Sequence, residues 1–237
     1  MKHPLLRSLP VAALCLVFFL VLSSISLASA AGEYPEDIAA RLQKKYDQMR
    51  SLSFTFNQQS QGQISGRPRT GSGTAFFYKT GKNSKMRWNY TTPDKQVLIS
   101  DGKTFSMYFS ELEQMIVTPA DSLESDLTYT FFSGRGRIAD KFHILPPDEE
   151  LMQEEMKAGQ PQIIKLVPKE PQSQVQAIHL WVDDDSLIRR IEIKDHFDTV
   201  TLLTLSKIEI DTIDGSSSEV AKLFSFTPPE GTEIIHQ

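Results

Sequence analysis

Large apolar side chains occupy every second position in two short runs of this chain: Met86, Trp88 and Tyr90 alternate with Lys85, Arg87 and Asn89, and Phe105, Met107 and Phe109 repeat the pattern. A period of two sends successive side chains to opposite faces of a strand, so the chain must build a sheet with one apolar face and find something to cover it. The same period runs through Phe54 and Phe56, through Phe76 and Tyr78, and over 114–117. Strands resume over 163–167, 177–182, 187–194 and 199–210 and end near Phe224, Ser225 and Phe226. Turn signals separate these runs: the stretch from Gly62 to Gly73, Thr80-Gly81-Lys82-Asn83, Asp101-Gly102, and Asp183-Asp184-Asp185-Ser186.

Helical spacing is confined to short stretches. After Pro35, residues 36–50 carry Ile38, Leu42, Tyr46 and Met49 on one side, with Glu36 and Asp37 in the first turn. Pro119-Ala120-Asp121-Ser122 caps a second, shorter helix with Leu123, Leu127, Phe131 and Phe132 on its apolar side, ended by Gly134 and Gly136. The acidic, proline-bounded stretch 146–161 reads as a surface insertion with a turn of helix. Strands, a helical interruption and more strands predict an α+β fold, a strongly bent antiparallel sheet with helices over one end or face. The Trp88 face could simply pack as a filled core, but a curved sheet with so few helical residues to fill its concave side favours a cavity lined by that face and closed by 38–49 and 121–133.

The first 30 residues read as a leader. Lys2 and Arg7 form a positive start, Val11 to Leu22 an apolar core, and Ala28-Ser29-Ala30 a small-residue cleavage site, so residues 1–30 are expected to be removed after Ala30, leaving 31–237 as a single domain. Cys15 lies inside the apolar core, and the mature chain then has no cysteine, so stability in an oxidising compartment rests on an ordinary core. Losing Lys2 and Arg7 leaves 23 basic against 30 acidic side chains, a charge of −7. That balance argues against nucleic acid and against anionic membrane as partners.

The motifs that suggest chemistry fail on inspection. Gly102-Lys103-Thr104 looks like the tail of a phosphate-binding loop, but the shaping glycine five positions before the Gly-Lys pair is Val97, so the stretch reads as the turn of a hairpin. The mature histidines His143, His179, His196 and His236 have neither metal-ligand spacing nor a cysteine partner, and the Asp183–Asp185 run lacks the glycine and spacing of a calcium loop. Ser72 has glycines one position away on each side, where a nucleophile elbow needs them two away. No metal or cofactor is expected.

Two blocks carry a resemblance. Trp88-Asn89-Tyr90-Thr91-Thr92-Pro93, followed by Ile99-Ser100-Asp101-Gly102-Lys103-Thr104, resembles the best-known block of the LolA family, periplasmic carriers of outer-membrane lipoproteins, and 221–231 (AKLFSFTPPEG) is similar to that family's closing motif. With the leader, first helix and strand order, the resemblance spans nearly all of 36–237. It implies an unclosed antiparallel β-barrel, a half-barrel, with helices forming a lid over an apolar cavity. It further implies a monomeric periplasmic chaperone, not an enzyme, that takes the acyl chains of lipoproteins from an inner-membrane ABC transporter and hands them to an outer-membrane acceptor.

On that resemblance the cavity is lined by Met86, Trp88, Tyr90, Phe105 and Met107, and the lid contributes Leu42, Met49, Leu123, Leu127, Phe131 and Phe132. Family members often carry an arginine in the hairpin before the Trp strand, where it bonds lid backbone; Lys82 is its nearest equivalent here and lacks the guanidinium's fork of donors. Exposed acyl chains cost about 0.8 kcal/mol per methylene, which is why such cargo needs an escort. Two other functions are open to the sequence: a carrier or sensor of another lipid or glycolipid on the same fold, separable by the identity of the bound lipid, and an exported hydrolase, for which no nucleophile–base pair is visible.

Overall fold

The computed structural model describes residues 33–62, 67–81, 84–121, 131–132, 136–155 and 161–237. Pro35 opens helix α1 (Pro35–Gln48), with Glu36 and Asp37 at its positive end and Lys45 in its last turn, as the macrodipole favours. Six strands follow: β1 (Ser51–Gln61), β2 (Arg69–Tyr78), β3 (Lys85–Thr92), β4 (Gln96–Ser100), β5 (Thr104–Phe109) and β6 (Gln114–Pro119). After the short α2 (Ile138–Lys141) come β7 (Phe142–Leu145), α3 (Glu149–Glu155), β8 (Gln162–Pro168), β9 (Ala177–Val182), β10 (Ile188–Lys194), β11 (Val200–Ile210), α4 (Ser217–Leu223) and β12 (Glu233–His236).

Among the described residues the twelve strands form one unclosed sheet in the order β12-β6-β5-β4-β3-β2-β1-β11-β10-β9-β8-β7. It is a set of hairpins, with β11 returning to lie beside β1 and join two wings. The register aligns the apolar face: Phe54 opposes Ala75, which opposes Trp88, while Leu52 opposes Phe77, which opposes Met86. One core cluster results, and α1 adds Ile38, Ala39, Leu42 and Tyr46 to it.

Several expectations are corrected. Gly71 and Gly73 lie within β2 and not in a turn. A Cβ on Gly73 would stand 1.9 Å from the Asn89 carbonyl oxygen and 3.0 Å from the Phe56 ring, so glycine is what lets β3 and Phe56 close over this strand. Phe76 and Tyr78 do not belong to the Trp88 face; Ala75 and Phe77 do, and Tyr78 packs on the opposite face with Ile213, Val220 and Phe224. Phe224 to Phe226 is not a strand. It follows α4 as a strap across that opposite face, where Arg87 donates to the carbonyls of Leu223 (2.8 Å) and Ser225 (3.1 Å) and Phe226 packs on Tyr108 at 5.2 Å. The strap delivers β12 to β6, and that pair is parallel in an otherwise antiparallel sheet.

Gly102 and Lys103 lie in the turn between β4 and β5, and Thr104 opens β5. Asp101 accepts from the backbone N–H groups of Lys103 and Thr104, both at 2.8 Å, and Gly102 takes a φ of 93°. Partial burial works against the Asp101 charge, but those two N–H groups and the Thr104 hydroxyl outweigh it and hold the carboxyl below its ordinary range. The 146–161 stretch is tied down at Asp148, which meets Lys165 at 2.5 Å and lies 3.3 Å from the buried His179.

Two outcomes follow from this packing. Gly73→Ala is expected to cost about 1–3 kcal/mol by overpacking, read as a lower urea midpoint; an unchanged midpoint would mean that β2 and β3 separate freely at this crossing. Asp101 has a depressed folded-state pKa, so its contribution is present above the unfolded value of about 4 and is lost as pH falls through the folded one. The stability gap between wild type and Asp101→Ala should be open at pH 7 and narrow by about pH 3; a gap of constant size would show that the carboxylate charge contributes nothing to the turn.

Candidate functional site

Trp88 is the centre of an aromatic wall. Its ring meets Phe54, Phe56 and Phe77 edge-on, with centroids 5.6, 4.8 and 6.0 Å away, and Phe56 continues to Tyr90 at 4.8 Å. Such T-shaped contacts suit the ring quadrupoles and fix ring orientation. The Tyr90 hydroxyl donates to the Gln58 amide oxygen at 2.9 Å, so the apolar wall ends at a polar group. Leu98 of β4 faces Trp88 on one side and Met107 on the other, and Ser100 faces Met86 and Phe105.

The expected cavity residues are thus brought onto one face: Met86, Trp88 and Phe105 are buried in the core cluster, with Tyr90 and Met107 packed against it half-buried. From the expected lid, Leu42, Met49 and Phe132 are buried in the same cluster and Phe131 packs against it. Phe132 sits 5.4 Å from Phe54 and 5.1 Å from Phe77, and Phe131 sits 4.7 Å from Tyr46. Leu123, Leu127 and Lys82 lie outside the described residues. Beside the wall, a cavity of about 50 Å³ is bounded by Phe131, Phe132, Phe142, Leu180, Ile188 and Ile191, among others, on the β8–β10 wing.

The polar fastenings of α1 carry no sequence signal. Arg41 donates to the Asp183 carbonyl and the Ser186 hydroxyl, both at 3.0 Å, and also to the Gln162 side chain. The Tyr46 hydroxyl accepts from the Ile188 N–H at 3.2 Å, and burial pushes the phenol pKa well above its ordinary value, so the group stays neutral. Lys79 donates to the Tyr46 carbonyl at the end of the helix; burial pulls its pKa down against the opposing charges of Asp47 and Asp211. Lys79, three residues before Lys82, thus holds α1 backbone from β2's end of the hairpin. In the Asp183–Asp185 run, weighed above for calcium, the Asp183 and Asp185 carboxylates pair with Arg189, Asp185 at 2.9 Å. No cluster suited to a metal ion occurs among the described residues.

Comparison with known proteins finds relatives along most of the chain. A family model described as "Outer membrane lipoprotein carrier protein LolA" matches residues 47–227. An outer-membrane lipoprotein carrier protein of Nitrosomonas europaea is 28% identical over 70% of this chain and 73% of its own length. Another, from Methylococcus capsulatus, is 29% identical over 88% of this chain and 90% of its own. A solved LolA superfamily protein from Nitrosomonas europaea is 12% identical, with a TM-score of 0.41, covering 79% of this chain and 97% of that one. With its family match running from the end of α1 to the strap that carries Phe226, the chain belongs to the LolA family.

Proposed function

We propose that this chain is a periplasmic carrier of lipoproteins that works by reversible burial of acyl chains and not by catalysis. The observation that supports it most is the wall around Trp88, an aromatic surface on one face of an unclosed sheet, on which Phe132 packs at Phe54 and Phe77, while α1 joins the same core cluster over β7 and β8. Burial on such a surface is non-directional and suits acyl chains on varied proteins. Met86 and Met107 add thioether side chains that adapt to irregular guests.

The cavity of about 50 Å³ is far below the 300–1,000 Å³ typical of ligand pockets. On this reading Phe131 and Phe132 take the place that cargo would occupy. Loading then means exchanging phenyl rings for methylenes, a swap of apolar surface for apolar surface with a small net free energy, as a carrier that must also release requires. The leader 1–30 would direct export, with cleavage after Ala30. An inner-membrane ABC transporter would supply the cargo and an outer-membrane acceptor would remove it, with the mature carrier a monomer between them.

A release assay tests this. Spheroplasts carrying labelled triacylated lipoprotein are incubated with the mature chain or with Trp88→Glu. Wild type is expected to yield a soluble one-to-one complex, and the variant, which sets a charge in the wall, at least about tenfold less of it. Failure of the wild type to extract lipoprotein would end the cargo assignment, and native mass spectrometry would then show whether another lipid is bound. The grip of Arg41 generates a second outcome. Arg41→Ala should loosen α1 and raise the binding of an apolar dye such as ANS; unchanged dye binding would show that α1 does not take part in opening.

A further inference from the structure

Two large apolar side chains stand in solvent at hairpin tips: Phe197, 81% exposed between β10 and β11, and Leu112, 64% exposed between β5 and β6. Following the pairings across the sheet, both tips fall at the same end of it, opposite the end where Arg41 meets the β9–β10 turn. Five inter-strand spacings separate β11 from β5, about 24 Å measured along the sheet.

The backbone beneath each tip is held. Asp195 accepts from the N–H groups of Phe197 and Thr199, both at 2.8 Å, and Lys194 pairs with Asp198 at 2.9 Å. His196 bonds the Gln172 carbonyl at 2.7 Å, bracing this tip against the neighbouring loop. At the other tip Glu113 has a φ of 48° and its carbonyl accepts from Glu233 at 2.8 Å, while Ser110 donates to Lys95 at 3.1 Å. The polar groups named here bond within the turn or to the segment beside it, and the apolar side chains face solvent. An apolar anchor on a rigid turn loses little conformational entropy when a partner buries it.

The collar around each tip is acidic. Asp195 and Asp198 flank Phe197, and Glu111 and Glu113 flank Leu112, with Asp94 close enough to Glu111 for its hydrogen bond and charge to raise that carboxyl's pKa. At the Phe197 tip Lys194 already pairs with Asp198 and backbone N–H groups hold Asp195, whereas at the Leu112 tip the Glu111 and Asp94 carboxyls crowd one another and a basic partner relieves that repulsion. An anionic bilayer would add to it, so charge selects a protein over a lipid surface.

We propose that Phe197 and Leu112 are a pair of docking prongs for a partner protein that offers apolar pockets bordered by Lys or Arg side chains. The proposal rests on the carrier reading only for where that partner is sought, on the periplasmic face of the inner membrane. The test measures binding of the fluorescently labelled mature chain to spheroplasts, to spheroplasts whose surface has been shaved with protease, and to protein-free vesicles of phosphatidylethanolamine and phosphatidylglycerol. Saturable binding is expected with intact spheroplasts and not with the other two. It should weaken at least about tenfold in the Phe197→Ser/Leu112→Ser double variant with no change in thermal midpoint, and weaken as salt rises from about 0.05 to about 0.3 M. Equal binding by wild type and variant, or no saturable binding by wild type, overturns the proposal. Variant-sensitive binding to shaved spheroplasts or to vesicles overturns it in favour of a lipid surface. Lipoprotein release from the same spheroplasts reports on the carrier reading separately: prong-dependent binding without release sinks that reading and leaves the docking surface standing.

Discussion

The structure turns on an imbalance between sheet and cover. One face of a twelve-stranded sheet carries more aromatic surface than the fourteen residues of α1 can hide. A second sheet would have solved the problem permanently and made a sandwich. Here the rings fold over their own sheet instead. Gly73 and Ala75 leave room on β2, and Trp88, Phe56 and Tyr90 lean across it to meet edge-on. Among the described residues, Phe132 adds cover from outside the sheet against Phe54 and Phe77, and Phe131 packs on Tyr46.

The two kinds of cover are held differently. α1 combines an apolar face with polar grips at Arg41, Tyr46 and the Lys79 ammonium, and one of them, the bond from the Ile188 N–H to Tyr46, is buried. Breaking a buried bond of that kind leaves an unsatisfied donor, at a cost of about 1–3 kcal/mol. A phenyl ring such as that of Phe132 contributes through the apolar area it buries, and an apolar guest in its place would return most of that.

The strands were legible because period two is a direct consequence of strand geometry. β9 is recovered to the residue, Ala177–Val182, since a run with both faces buried is apolar at every position but His179. The misreadings have equally local causes. Ala75-Phe76-Phe77-Tyr78 offers an apolar residue at every position, and only the register with Trp88 decides which pair faces the wall. Gly71 and Gly73 signal a turn by composition, whereas the structure uses their missing side chains for a close crossing. β7, four residues long, is too short to show a period. In the site, Trp88 and its neighbours could be read because they lie on strands; the partners of Arg41 could not, being 121–145 residues away along the chain.

The pairing of β1 with β11 has a consequence for how the chain assembles. On one wing, β2 to β6 join through successive hairpins, and β7 to β10 do the same on the other, so each can nucleate from residues near in sequence. Leu52 meets Ile210 across the junction, closing a loop that spans most of the chain. Contacts of that separation form late, because the entropy of the intervening chain must be surrendered first. Until they form, each wing carries an apolar face with no neighbour, and the β1–β11 seam is where the chain stands longest exposed to aggregation.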